Sequence, residues 1–254
     1  MLDSGYLRFK GVWIEMKKLR LLLASIVFLV SSCQNDGLAL WRKHINVVIV
    51  GDSTVATYDK ASDKRGWGQL MQPRFKGNVT VYNLARNGRS SKSFIDEGLW
   101  AKALEKKPDY VFIQFGHNDC PGKGPKRHTD PNTTYKYYLR KYISDTRQQG
   151  GEPIIVTSME RRKYGPDGKV KDSLGAYAQA AREVAAEQKV FLIDLHTESV
   201  ELFNSKGEEA TNYMNCSEDR THWNPAGAQI WSNKIVSRLR EAKGPYIPLV
   251  NSLR

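Results

Sequence analysis

The chain has 254 residues, 40% of them hydrophobic, a formal net charge of +12 and a mean hydropathy of −0.54. That length suits one α/β domain of about 200 residues with an N-terminal extra. The composition excludes a multi-span membrane protein, a repeat array and a low-complexity chain.

Met16-Lys17-Lys18-Leu19-Arg20 is a positive stretch followed by the apolar run Leu21 to Val30, broken only by Ser25. The run is too short for a bilayer span, which takes about 20 residues, and reads as the core of an export signal. It ends in Val30-Ser31-Ser32-Cys33, which resembles the bacterial lipobox, with Cys33 as the lipidated residue. The alternative is an ordinary secretory signal with an incidental cysteine. Residues 1–15 carry Asp3 and Glu15 and do not fit a signal's positive start, so Met16 reads as the true beginning. The expected division is a signal over 1–33, a linker over 34–44, the main domain over 45–243 and a tail over 244–254. The expected location is outside the cytoplasm, lipid-anchored at the periplasm or cell surface, with no other membrane contact.

Without residues 1–32, which hold five of the 39 basic and two of the 27 acidic side chains, the charge is +9. A positive surface favours encounter with polyanions. Export argues against nucleic acid and for acidic polysaccharide, while a charge balance serving only solubility is an equal reading.

Five apolar runs follow, over 46–51, 79–84, 109–115, 153–157 and 190–195. They lack strict alternation, as expected of parallel strands covered on both faces. Between them, helical spacing appears over 92–106, 134–149 and 173–188. A last helix over 225–240 has Asn224 as its N-cap and Pro225 at its first position. This alternation predicts a doubly wound three-layer α/β/α sandwich with a five-stranded parallel sheet, whose ligands lie at the carboxyl ends of the strands.

The chemically suggestive residues all follow strands. Gly51-Asp52-Ser53-Thr54 ends the first and places Ser53 as a nucleophile. His222, beyond the fifth, is its candidate base. Asp219, three residues earlier, is placed to fix the imidazole tautomer. Gly88, after the second strand, lets a backbone N–H approach an oxyanion, and Asn118, after the third, offers an amide donor. The backbone N–H of Ser53 is the third candidate donor. Taken singly, Gly88 and Asn118 also suit ordinary turns.

Gly51-Asp52-Ser53-Thr54, Gly88, Gly116-His117-Asn118-Asp119 and Asp219-x-x-His222 resemble, in order, the four blocks of SGNH (GDSL-type) hydrolases, over roughly residues 45–241. The resemblance implies a flavodoxin-like α/β sandwich, a Ser53–His222–Asp219 triad, an oxyanion hole from Ser53, Gly88 and Asn118, and no metal or cofactor. Thr54, Gly66-Trp67-Gly68, Asn83-Leu84-Ala85-Arg86-Asn87-Gly88-Arg89-Ser90 and Thr157-Ser158-Met159-Glu160-Arg161-Arg162 are similar to bacterial rhamnogalacturonan acetylesterases. Asn87 and Trp223 depart from that pattern and bear on substrate preference. The implied reaction removes O-acetyl groups from pectic polysaccharide through an acetyl-serine. Acetylated xylan, another glycan, or a glycan-binding lipoprotein without catalysis are the alternatives.

Trp67 and Trp223 either stack on sugar faces or pack internally. Arg89, Arg161 and Arg162 either pair with galacturonate carboxylates or serve as solvated charge and caps. His117 is expected to hold loop geometry. Cys120 and Cys216 border the two expected site loops. Two free thiols is the default reading, and a disulfide tying those loops is the alternative.

Overall fold

The computed structural model describes residues 6–9, 12–15 and 43–254. The chain divides into two compact units, residues Met1–Lys43 and His44–Arg254. In the first, β1 (Tyr6–Phe9) pairs antiparallel with β2 (Val12–Glu15). The expected signal over 16–33, Cys33 and most of the linker lie outside the described residues. Among the described residues no helix is long and apolar enough to cross a membrane.

The second unit is built on five parallel strands: β3 (Ile45–Gly51), β4 (Val79–Asn83), β5 (Tyr110–Gln114), β6 (Glu152–Val156) and β7 (Phe191–Ile193). Their order in the sheet is β4-β3-β5-β6-β7. The chain therefore starts inside the sheet, steps out to one edge and returns across β3. The crevice at this reversal, beyond the carboxyl ends of the strands, is where open α/β sheets bind ligands, and β3 delivers Ser53 to it.

Successive strand residues point to opposite faces, and both faces are buried. Val47, Ile49, Phe112, Ile154 and Val156 pack with Trp67, Phe203, Trp223 and Trp231. Val48, Val50, Val111, Ile113 and Ile155 pack with Phe94, Trp100, Leu139, Tyr142 and Val184. Two-sided burial explains why the runs show no polar alternation.

The helices differ from expectation in two places. The segment 92–106 is two helices, α1 (Ser91–Asp96) and α2 (Leu99–Leu104), divided at Gly98, whose φ of 72° breaks the first. After α3 (Thr134–Gln148) and α4 (Gly175–Glu187), a helix not expected from the sequence, α5 (Leu195–Thr211), follows β7 directly. Asp194 caps it, accepting from the backbone N–H of Thr197. The last long helix, α6 (Pro225–Leu239), starts as expected, with the Asn224 side chain accepting from the N–H of Gly227.

Residues 244–254 are part of the body and not a tail. Tyr246, Leu249 and Leu253 are buried, the Tyr246 hydroxyl donates to the Pro153 carbonyl at 2.9 Å, and Leu253 bridges to Phe75.

Candidate active site

The turn after β3 is held by its own aspartate. Asp52 Oδ1 accepts from the backbone N–H and the hydroxyl of Thr54, both at 2.8 Å, while its carbonyl accepts from the N–H groups of Val55 and Ala56. Thr54 in turn accepts from Gln114 Nε2 at 2.8 Å, and Gln114 Oε1 accepts from the Trp67 indole at 2.8 Å. A buried relay thus runs from the Trp67 indole to the base of the Ser53 turn. Gly66 brings this segment close. A Cβ there would stand 2.2 Å from the Val55 carbonyl carbon, so no side chain fits.

Ser53 Oγ lies 2.8 Å from His222 Nε2, and His222 Nδ1 lies 2.6 Å from Asp219 Oδ2. The other Asp219 oxygen accepts from the backbone N–H groups of Thr221 and His222 at 2.7 and 2.9 Å. Burial pushes the Asp219 carboxyl up, but the N–H groups of His222 and Thr221 and the imidazole outweigh it, and its pKa lies below the usual value. The carboxylate is therefore charged where it orients the ring, as a serine–histidine–aspartate set requires.

Gly88 has φ 77°, a conformation costly to a side-chain-bearing residue. Among the described residues the N–H groups of Ser53 and Gly88 donate to no protein acceptor. Asn118 Nδ2 donates to the Arg89 carbonyl at 3.1 Å, which holds the amide against the Gly88 loop and leaves its second N–H to donate elsewhere. Asp119 fastens the same two loops. Its carboxylate accepts from the Ser91 N–H and hydroxyl and from the Thr129 hydroxyl. Burial pushes this carboxyl up to about 7 against the Ser91 and Thr129 hydrogen bonds that lower it.

The five residues read as triad and oxyanion donors thus sit in loops at one edge of the sheet. The peripheral residues do not all follow. Trp67 and Trp223 are fully buried and cannot stack on a sugar. Trp67 ends the relay to Thr54, and Trp223 packs 5.3 Å from Trp231 and 6.2 Å from Phe203, centroid to centroid. Arg162 is also fully buried. It donates to Asn215 Oδ1 at 2.8 Å, to the Glu208 carbonyl and to Asn212 Oδ1, both at 2.6 Å. Asn215 then donates to the His222 carbonyl, so Arg162 is a strut under the Asp219–His222 loop. Arg161 is half-buried and donates to the His117 carbonyl at 3.0 Å and to Ser173 Oγ at 2.8 Å. Arg89 is paired with Glu97 at 2.8 Å. Cys120 and Cys216 are free thiols, donating to the Gly116 and Asp63 carbonyls, and no disulfide ties the loops.

Sequence reasoning missed Asp52, Gln114 and Glu160 as supports. Glu160 accepts from the N–H groups of Arg161, Ser173 and Leu174 and from the Ser173 hydroxyl. Burial raises its carboxyl, yet these bonds and His196 bring it down to about 2. Glu160, Asp172 and His196 offer ligand atoms within 4.8 Å of one another. The Glu160 oxygens are already engaged by those donors, so the group reads as a structural hub.

Residues 49–230 match the model of the GDSL-like lipase/acylhydrolase family. The chain is 36% identical over 214 residues to a probable rhamnogalacturonan acetylesterase, YesY, of Bacillus subtilis (strain 168), covering 82% of this chain and 97% of that one. It is 32% identical over 218 residues to the rhamnogalacturonan acetylesterase RhgT of the same organism, covering 80% and 92%. Among solved structures, YxiM of Bacillus subtilis superposes with a TM-score of 0.66 at 26% identity, over 78% of this chain and 57% of that one. Axe2, an acetylxylan esterase from Geobacillus stearothermophilus, shares the fold with a TM-score of 0.61 at 17% identity, over 77% and 94%. The chain therefore belongs to the GDSL-like lipase/acylhydrolase family and is a carboxylic ester hydrolase.

Proposed function

We propose that this protein removes O-acetyl groups from pectic polysaccharide of the rhamnogalacturonan type, through an acetyl-serine intermediate on Ser53. The observation that carries the chemistry is the chain of short contacts from Ser53 Oγ through His222 to Asp219. The two relatives named above support the substrate class.

In the first step Ser53 Oγ bonds to the acetyl carbonyl carbon as its proton passes to His222 Nε2. The carbonyl oxygen becomes an oxyanion facing the N–H groups of Ser53 and Gly88 and the Asn118 amide. The bond to the sugar oxygen then breaks, and the His222 proton goes to that oxygen. In the second step water gives a proton to His222 Nε2 as its oxygen bonds to the acetyl carbon. The bond from that carbon to Ser53 Oγ then breaks, His222 returns the proton to Oγ, and acetate leaves. Asp219 stays ionised throughout and stabilises the imidazolium. Preorganised donors of this kind are each worth roughly 2.7–4 kcal/mol in the transition state.

Acetate release from acetylated rhamnogalacturonan, homogalacturonan, xylan and a small aryl acetate tests the reading. The highest kcat/KM is expected on rhamnogalacturonan. A clear preference for xylan removes the pectic substrate and leaves the serine chemistry in place.

The protein is further proposed to be exported and lipid-anchored through Cys33. The support is the positive stretch, the short apolar run and the small residues before that cysteine. A Cys33→Ser variant is expected to leave the membrane fraction and lose lipid label. Retention of both would contradict the anchor.

A further inference from the structure

Two adjoining depressions meet at the carboxyl end of the edge strand β4. The smaller, about 240 Å³, lies between the turn that follows Ser53 and the Gly88 loop, and its walls include Thr57, Arg86 and Arg89. The larger, about 580 Å³, shares Thr57, Ala85, Arg86 and Leu99 with it and continues along α2 to Lys102 and Lys106. The larger volume falls within the range of roughly 300–1,000 Å³ typical of ligand pockets. Asn83 fixes this groove to the catalytic turn, donating to the Val55 carbonyl at 2.9 Å and to Thr57 Oγ1 at 3.0 Å.

The groove has an apolar floor and a cationic rim. Leu84, Ala85 and Leu99 line the floor. Arg86, Lys102 and Lys106 are exposed on the rim and form no ion pair among the described residues. The Lys106 ammonium stands 5.5 Å from the centroid of the Tyr82 ring. Glu105 is the carboxylate among them. Arg89 adds no free charge, because Glu97 neutralises it. Three cations against one carboxylate leave the rim net positive, and a cleft lined mainly by one sign of charge concentrates the opposite ion.

We propose that this groove binds the uronate carboxylates of an acidic polysaccharide whose acetylated sugar lies at Ser53. The inference rests on the ester-hydrolase reading given above. The floor suits the C–H face of a sugar ring, and a guanidinium with two ammoniums suits carboxylates at its edges. Continuity with the Ser53 turn makes the occupant and the substrate one chain, which favours polysaccharide over nucleic acid or an anionic membrane.

The test uses the full chain and the double variant Lys102→Glu/Lys106→Glu, at low ionic strength. The readout is the ratio of kcat/KM on acetylated rhamnogalacturonan to that on 4-nitrophenyl acetate, which corrects for any general loss of active protein. The ratio is expected to fall about fivefold or more, through KM, and the difference to shrink at high salt. Lys243→Glu, an exposed lysine beyond the far end of α6, is the control for net charge and is expected to leave the ratio as it is. Unacetylated polygalacturonate is expected to inhibit the wild type more strongly than the double variant, and more strongly than duplex DNA of equal charge. An unchanged ratio in the double variant, an equal fall in Lys243→Glu, or equal inhibition by DNA would overturn the groove. If the wild type ignores acetylated rhamnogalacturonan, the proposed function fails separately, and polygalacturonate inhibition alone then decides the groove.

Discussion

Asp52 Oδ2 lies 3.3 Å from His117 Nδ1, so the residue before Ser53 touches the residue before Asn118. Both side chains are buried. Burial raises the Asp52 carboxyl, but the His117 imidazole and the Thr54 hydrogen bonds bring it below the usual value. One side chain thus shapes the nucleophile turn and sets its spacing from the amide donor. Asp52→Asn is expected to lower kcat on an aryl acetate by about 10- to 100-fold with little change in KM, because misplacement of about 1 Å costs on that scale. A kcat within twofold of the wild type would show that the contact does not position the site.

Asp119 should make the fold more stable in acid than a non-ionising residue does. Its folded pKa of about 7 lies above the usual 3.8. Its contribution is complete below about pH 4 and is lost as pH rises through about 7. The Tm of wild type minus that of Asp119→Asn is therefore expected to fall between pH 4 and pH 7. A difference that is flat or rises over this window contradicts the assignment.

Glu160 should behave in the opposite sense. Its folded pKa of about 2 lies below the usual 4.5, so its contribution is present above pH 4.5 and lost as pH falls through about 2. Glu160→Gln is expected to cost on the order of 2–3 kcal/mol in urea unfolding at pH 7. A loss under about 0.5 kcal/mol, the range of neutral surface changes, would remove it as the hub of the 157–174 loops.

Trp67 is expected to act on stability and not on sugar affinity. Trp67→Phe leaves Gln114 Oε1 buried without its donor, at a cost of about 1–3 kcal/mol. KM on polymer and on aryl acetate should change together. A rise in the polymer KM alone, with wild-type stability, would restore a stacking role.

The strands and the five central site residues were legible because each depends on local pattern. A strand covered on both faces needs a short apolar run. Ser53, Gly88 and Asn118 each sit one loop beyond such a run, and Asp219 and His222 sit just before the Asn224 cap of α6. The helix α5 was not legible, because polar His196, Glu198 and Ser199 share its buried face with Leu195 and Phe203, and Gly207, at φ 81°, interrupts it. The reading of 92–106 as one helix failed at a single glycine. Trp67, Trp223 and Arg162 were open to two readings because burial of an indole or a guanidinium is decided by partners far along the chain. For Arg162 those partners are Glu208, Asn212 and Asn215, and none of them marks itself in sequence as an acceptor for an arginine.

The central claim is that Ser53 is the acyl-accepting nucleophile. Acetate release by Ser53→Ala, measured on 4-nitrophenyl acetate and on acetylated rhamnogalacturonan with folding checked by Tm, tests it most directly. The account predicts a loss of about 10⁴-fold or more on both substrates with Tm retained. Release at the wild-type rate from a folded Ser53→Ala protein would contradict it.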